Sequence, residues 1–303
     1  MYIYFSRSRK FHFPLYQGRR SKLMLSTSRI ALNRIVCPRL TLDELFKLCA
    51  ELGLTGIELR NDLPGGRIID SYRPAQVRSL AEQFGIKVLT INALQQFNLA
   101  PLPDEQMEEV KKLVDLARAI GCQAVVLCPN NDPHDSRDAN RMYADTVRAL
   151  KAFGPVFQQS GVAAYVEPLG FFQSSLASAV TAQEAIRASG FSCYKIVFDT
   201  FHHFLGPDTQ EILERGFDVR LIGIVHVSGT AVDLPDGEYR DEHRGLVFPD
   251  DRFKSREQIH FLLAMGYEGP VAFEPFSEQV QAQELTELTS ELKCSIDYLT
   301  GNS

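Results

Sequence analysis

Four short apolar segments of this chain each end on a side chain that can ligate a metal. They are Ala164-Tyr165-Val166-Glu167, Ile196-Val197-Phe198-Asp199, Ile224-Val225-His226 and Val271-Ala272-Phe273-Glu274. Two glutamates, one aspartate and one histidine supply oxygen donors and one imidazole, a set suited to hard-to-borderline divalent ions. They can converge only if the four segments are parallel strands that open on one mouth. Three buried carboxylates with no cation would repel one another and carry a heavy desolvation cost. A single polar residue at a strand end is commonly a loop anchor, but four in consecutive segments argue for a shared ion. The four lie 32, 27 and 48 residues apart (167 to 199, 199 to 226, 226 to 274). The first two gaps each suit one strand–helix unit. The third holds one unit plus a long polar loop at 228–254.

The elements that must position these side chains alternate regularly from residue 28 onward. Strands are expected at 29–36, 56–60, 87–94, 124–129, 163–168, 194–200, 221–227 and 270–273. Helices are expected between and after them, at 41–52, 74–84, 104–120, 138–159, 181–189, 209–215, 255–265 and 281–299. Thr41 is placed to cap the first helix, with Asp43 and Glu44 in its first turn, where the helix dipole favours acids. Pro74 opens the second helix, and Gly85 and Gly121 close the second and third. The strands read as continuous apolar runs, as they do when both faces are covered. Eight such units predict a single (β/α)8 TIM barrel over residues 24–303, with its active site at the C-terminal mouth. A doubly wound sheet is the weaker alternative, since no GxGxxG turn follows the first strand.

Composition bounds the rest. The 303 residues are 45% apolar, and a barrel of this kind uses roughly 250. The net charge of -6 and pI near 5.7 exclude a general nucleic-acid face. No apolar run reaches the ~20 residues needed to cross a bilayer. Six scattered cysteines without CxxC spacing read as free thiols of a reduced, cytoplasmic protein. Residues 1–23 differ in kind: six basic residues, no acid and no periodicity. They read as a basic N-terminal extension, either disordered or upstream of a start at Met24.

Further polar residues fall at strand ends or in mouth loops: Glu58, Asn92, Asn130, His202 and Arg244. Asn92 ends a buried strand, where its amide could bind a substrate hydroxyl or cap a loop. His202 follows Asp199 by three residues, which could set it over the metal. Arg244 closes a charged loop run and could orient a polar oxygen through its planar fork. His12, His134 and His203 are not assigned a role. Pro64-Gly65-Gly66 reads as a turn; it lacks the Gly-Lys-Ser/Thr ending of a phosphate-binding loop.

Four motifs resemble those of the xylose-isomerase-like TIM-barrel superfamily: Val166-Glu167-Pro168-Leu169-Gly170, Phe198-Asp199-Thr200-Phe201-His202, Ile224-Val225-His226-Val227 and Phe273-Glu274-Pro275-Phe276. Ile57-Glu58-Leu59-Arg60, Ile91-Asn92-Ala93-Leu94 and the Asp-x-Phe-His segment most resemble its 2-keto-myo-inositol (inosose) isomerases, over about residues 26–300. The resemblance implies that Glu167, Asp199, His226 and Glu274 hold one divalent ion: Mn²⁺, Mg²⁺, Co²⁺ or Zn²⁺. It also implies substrate contacts from His202 and Arg244. One departure is local. Relatives often carry a Pro-Gly-x-Gly turn after that arginine, where this chain reads Gly245-Leu246-Val247-Phe248.

The reaction expected is isomerisation of a small polyol ketone or ketose through an enediolate. Glu167 and Glu274 would be the acid/base pair, and Asn92 and Glu58 further substrate contacts. No organic cofactor is required, because redox balance does not change. A homo-oligomer is compatible with the sequence. A ketose 3-epimerase or hydroxypyruvate isomerase would use the same ligands. An apurinic endonuclease needs more His and Asp/Glu ligands than strands ending in Asn92 and Pro129-Asn130 supply. A non-catalytic sugar-binding barrel would have less reason to keep all four ligands.

Overall fold

Eight parallel strands close on themselves in sequence order, with β1 paired to both β2 and β8. This computed structural model describes residues 24–63, 65–235 and 237–302. The basic extension expected at 1–23 lies outside them, as does Pro64 of the expected turn. The strands are β1 (Ile30–Asn33), β2 (Gly56–Arg60), β3 (Lys87–Leu94), β4 (Ala124–Leu127), β5 (Ala163–Val166), β6 (Tyr194–Asp199), β7 (Ile222–Val227) and β8 (Val271–Phe273). The helices are α1 (Leu42–Glu51), α2 (Pro74–Phe84), α3 (Asp104–Ile120), α4 (Ala139–Ser160), α5 (Ala179–Ser189), α6 (Thr200–Leu205), α7 (Gln210–Gly216), α8 (Ser255–Ala264), α9 (Glu278–Gln281) and α10 (Leu285–Thr300). The expected single (β/α)8 barrel is the fold.

Local chemistry explains the boundaries. Thr41 caps α1 and Glu44 reaches back to its backbone N–H, a reciprocal capping box. Gly85 takes the left-handed conformation that stops α2, at φ 64°. Three expectations need correction. The first strand stops at Asn33, because its side chain accepts from the Ile35 backbone N–H and turns the chain into a short 3-10 helix. The sixth strand stops at Asp199, which caps the short helix α6 that was expected as strand and loop. The closing helix is two pieces, α9 and α10.

Strand residues sort by parity, since successive side chains point to opposite faces. Ile57, Leu59, Val125, Leu127, Val166, Phe198, Val225 and Phe273 face outward and join the helices in one large apolar core. Ala31, Ala124, Val126, Tyr165, Val197, Ile224 and Ala272 form a second, smaller cluster inside the barrel. The Tyr165 ring fills that interior by reaching over Gly223, where a Cβ would sit 2.5 Å from a ring atom. Two residues beyond the inner layer, on the same parity, come Asn33, Cys128, Glu167, Asp199, His226 and Glu274. The barrel floor is therefore apolar, and the next step toward the C-terminal ends is polar.

Candidate metal centre

Glu167, Asp199, His226 and Glu274 are all buried, and one ligand atom from each lies within 4.8 Å of the others. Among the described residues this is a single group of ligating side chains. Glu167 and Glu274 stand one residue past β5 and β8. Their backbone N–H groups extend the ladder to Leu127 O at 3.0 Å and Val227 O at 2.9 Å. Asp199 ends β6, and its Oδ1 accepts from the N–H groups of Phe201 (2.7 Å) and His202 (3.3 Å). Its other oxygen takes Arg244 Nη2 at 2.6 Å. His226 Nδ1 lies 3.1 Å from both Glu167 Oε1 and Glu274 Oε2.

Charges decide whether the donor set fits a cation. Two unit charges ~4 Å apart interact by about 4 kcal/mol at an effective dielectric near 20. Crowded carboxylates in a buried site therefore need positive partners. Four carboxylates meet here, those of Glu58, Glu167, Asp199 and Glu274, against two guanidiniums. Arg60 Nη1 is 2.7 Å from Glu274 Oε1, and Arg244 Nη2 is 2.8 Å from its Oε2. The buried carboxylates outnumber the buried guanidiniums, which also serve the more exposed Asp62 and Asp241, so the excess of negative charge suits a cation and the residues present fit such a group. Titration follows the same balance. Burial alone would depress His226, but Glu274, Glu58 and Glu167 override it and raise its pKa well above the ordinary value. To serve as a ligand it must give up a proton. Burial also opposes ionisation of Glu274, yet His226, Arg244 and Arg60 hold its carboxyl well below the usual range. Burial pushes Asp199 upward, against the pull of Arg244.

A cavity of about 540 Å³ opens over the cluster. Glu167 and Glu274 reach its wall, with His202, Arg244, Asn92, Arg60, Phe171 and Phe276. His202 rides on α6, edge-on to the Phe171 ring at 5.2 Å. Burial, then Arg244, lowers its pKa to about 4, and its Nδ1 finds no hydrogen-bond partner among the described residues. The ring is therefore held neutral, with that nitrogen buried and unpaired. The loop after β5 can approach α6 because Gly170 has no side chain: a Cβ there would lie 2.0 Å from His202 O. Arg244 packs between the Phe201 and Phe276 rings at 5.0 and 4.6 Å and also binds Asp241 and Ser228. Asn92 lines the cavity while its amide donates to Thr90 Oγ1 at 2.8 Å.

Two expected mouth residues lie elsewhere. Glu58 is fully buried and absent from the cavity wall, with its Oε1 3.0 Å from His226 Nε2. At its level on β2 the carboxylate faces His226 rather than the cavity wall. Asn130 is turned into the loop after β4, where it donates to Asp135 at 2.8 Å. The cavity also holds a residue that sequence reasoning passed over. Arg60 grips Asp62 through two bonds of 2.8 and 2.6 Å and lies 5.0 Å from the Phe276 ring. It has the same inward parity as Glu58, two residues earlier, and that was the available signal. Asn33 shares the signal and donates to Glu58 and Glu274 at 3.3 and 3.2 Å.

A closed parallel barrel with a buried carboxylate–histidine cluster at the C-terminal ends of its strands defines a (β/α)8 protein whose residues could hold a metal ion. The chain belongs to the xylose isomerase-like TIM barrel family, whose model matches residues 46–297. A xylose isomerase domain-containing protein of Salmonella typhimurium LT2 is 36% identical; the match covers 91% of this chain and 98% of that one, with a TM-score of 0.85. The IolI protein, solved with a bound zinc atom, is 21% identical over 90% of this chain and 98% of its own, with a TM-score of 0.81. D-psicose 3-epimerase of Clostridium cellulolyticum H10, solved with D-tagatose, is 16% identical, with coverage of 89% and 98% and a TM-score of 0.69. The last two likenesses concern the fold alone. No curated protein matches the chain in sequence.

Proposed function

We propose that this protein is a divalent-metal-dependent isomerase or epimerase of small polyol ketones, with 2-keto-myo-inositol isomerisation as its leading reaction. The observation that carries the reading is the four-ligand cluster, two of whose members, Glu167 and Glu274, reach the wall of a cavity of about 540 Å³. The zinc atom of the IolI protein and the D-tagatose of the epimerase support it. Glu167, Asp199, His226 and Glu274 hold one ion per chain. When bound, that ion supplies Lewis-acid polarisation of the substrate carbonyl. The remaining work falls to side chains. Glu167 and Glu274 flank the reacting carbons; one takes the proton from the C–H beside the carbonyl and the other returns one, through an enediolate. His202 and the Asn92 amide, both on the cavity wall, receive substrate hydroxyls. Arg244, fixed between two rings, orients a substrate oxygen. Hydride is not exchanged with any carrier, so no organic cofactor enters. The six free cysteines support the cytoplasm as the compartment.

The test is deuterium exchange. Metal-loaded protein is incubated in D₂O with a panel of inososes and ketoses, and the C–H signals beside the carbonyl are followed by NMR. Exchange with an inosose supports the leading reaction. Exchange confined to ketoses or to hydroxypyruvate moves the assignment to a 3-epimerase or hydroxypyruvate isomerase. No exchange with any of them sinks the proposal. Elemental analysis after mild metal loading should approach one ion per chain, and two or three tightly held ions would contradict the single-ion site.

A further inference from the structure

Glu58 is surrounded by donors. Its Oε1 accepts from Thr90 Oγ1 at 2.5 Å and lies 3.4 Å from Asn92 Nδ2, while its Oε2 lies 3.3 Å from Asn33 Nδ2. The direction of the Thr90 bond is fixed by its neighbour. Thr90 Oγ1 already receives the Asn92 amide at 2.8 Å, so its own hydrogen is free to point at Glu58. Glu58 is thus an acceptor on every side. His226 Nε2, 3.0 Å from the same Oε1, must therefore carry a hydrogen. In a neutral imidazole the other nitrogen then keeps the lone pair. That nitrogen is Nδ1, which faces Glu167 and Glu274 at 3.1 Å each. The chain Asn92–Thr90–Glu58–His226 thus runs from β3 through β2 to β7 beneath the cluster.

We propose that Glu58 is a positioning residue that holds His226 in its Nε2–H tautomer, with the Nδ1 lone pair directed at the metal. The inference rests on the metal reading above and deepens it. A carboxylate on the far nitrogen of a ligating histidine fixes ring orientation and raises ligand basicity, and its loss commonly weakens metal affinity by ~10–100-fold. Glu58 is fully buried.

The test uses the full chain and Zn²⁺ alone. Zinc affinity is measured by chelator competition for wild type, Glu58→Ala and Glu58→Gln. Histidine-selective ¹⁵N labelling and long-range ¹H–¹⁵N correlation report which nitrogen of His226 carries the proton. The expected results are a proton on Nε2 in the zinc-loaded wild type and a loss of ~10–100-fold in affinity for Glu58→Ala. Glu58→Gln, whose carbonyl oxygen can still accept, should stay within about threefold. A purely structural role would lower the melting temperature of the metal-free variants without changing tautomer or affinity. Wild-type affinity in a folded Glu58→Ala, or a proton on Nδ1 of His226, overturns the inference while leaving the metal reading intact. If Glu58→Ala does not fold, the wild-type tautomer and Glu58→Gln decide it. Failure of the wild type to bind zinc overturns the metal reading and this inference with it.

Discussion

Glu167 and Glu274 occupy equivalent places, one residue beyond β5 and β8, in unlike surroundings. Glu274 meets Asn33, Arg60, Arg244 and His226, so both of its oxygens are engaged. Glu167 meets His226 and, at 3.4 Å, the buried thiol of Cys128. The side of the mouth formed by β8, β1 and β2 is a dense ionic lattice, while the β4–β5 side is sparse and soft. A carboxylate pinned by two guanidiniums is costly to move and poor at accepting a proton. A carboxylate beside a thiol keeps freedom to shift. In the proposed reaction this sets Glu274 to anchor and Glu167 to do more of the proton traffic.

The largest effects should come from the residues shared by both sides. His226→Ala and Asp199→Ala are expected to lose metal and deuterium exchange together, as read by elemental analysis and NMR. Retained metal in either variant would remove it from the ligand set. Asp199→Ala also strips the cap from α6, worth ~1 kcal/mol, so its melting temperature should fall as well.

The two glutamate variants then sharpen the comparison. Glu167→Gln and Glu274→Gln should each keep some metal, since an amide oxygen can coordinate. Exchange should fall by the ~10²–10⁴-fold typical of a lost general base. Stability should separate them. Glu274→Gln takes one buried countercharge from both Arg60 and Arg244, which then keep only Asp62 and Asp199 with Asp241, so the loss should fall below the ~3–5 kcal/mol of a buried pair broken outright, whereas Glu167→Gln takes no partner from either guanidinium. Denaturant titration reads the difference, and equal stabilities would erase the distinction between the two sides. If either variant keeps wild-type exchange, that glutamate is only a ligand, and the base is next sought at His202.

Smaller effects bound the soft side. Cys128→Ala removes one weak donor to Glu167 and should cost about 1 kcal/mol of stability or less, with exchange within tenfold of wild type. A larger loss would mean that the thiol positions Glu167. Least of all, a chain that starts at Met24 is expected to keep solubility and exchange unchanged, since residues 1–23 are basic and aperiodic. Loss of soluble protein would refute this.

Much of the barrel was legible because its strands are short apolar runs separated by capped helices. Thr41, Pro74 and Gly85 each mark a boundary that the structure keeps. The convergence of the four ligands was legible too, since each ends such a run. What failed to show was local. Helix α6 is six mostly buried residues, too short and too uniformly buried for a helical period to appear. The end of β1 depends on one asparagine side chain closing on its own backbone. Glu58 and Asn92 looked alike as strand-end polar residues, yet one lies under the cluster and the other on the cavity wall. Their separation depends on the stagger of β2 against β3, where a register shift falls between Ile57 and Glu58. Parity could have found Arg60 and Asn33, but not their ion-pair and hydrogen-bond partners on other strands.

The Tyr165 ring and the bare backbone of Gly223 share one volume in the barrel floor. Neither position can change size alone. A methyl at 223 collides with the ring, while a smaller residue at 165 leaves a void below Glu167, two residues on. Sequence drift in this layer must therefore pass through paired exchanges, large for small across β5 and β7, with a damaged intermediate between them. Homologues that replace the tyrosine should carry a compensating bulk at the glycine position. Grafting either residue singly between family members should fail where the double exchange succeeds.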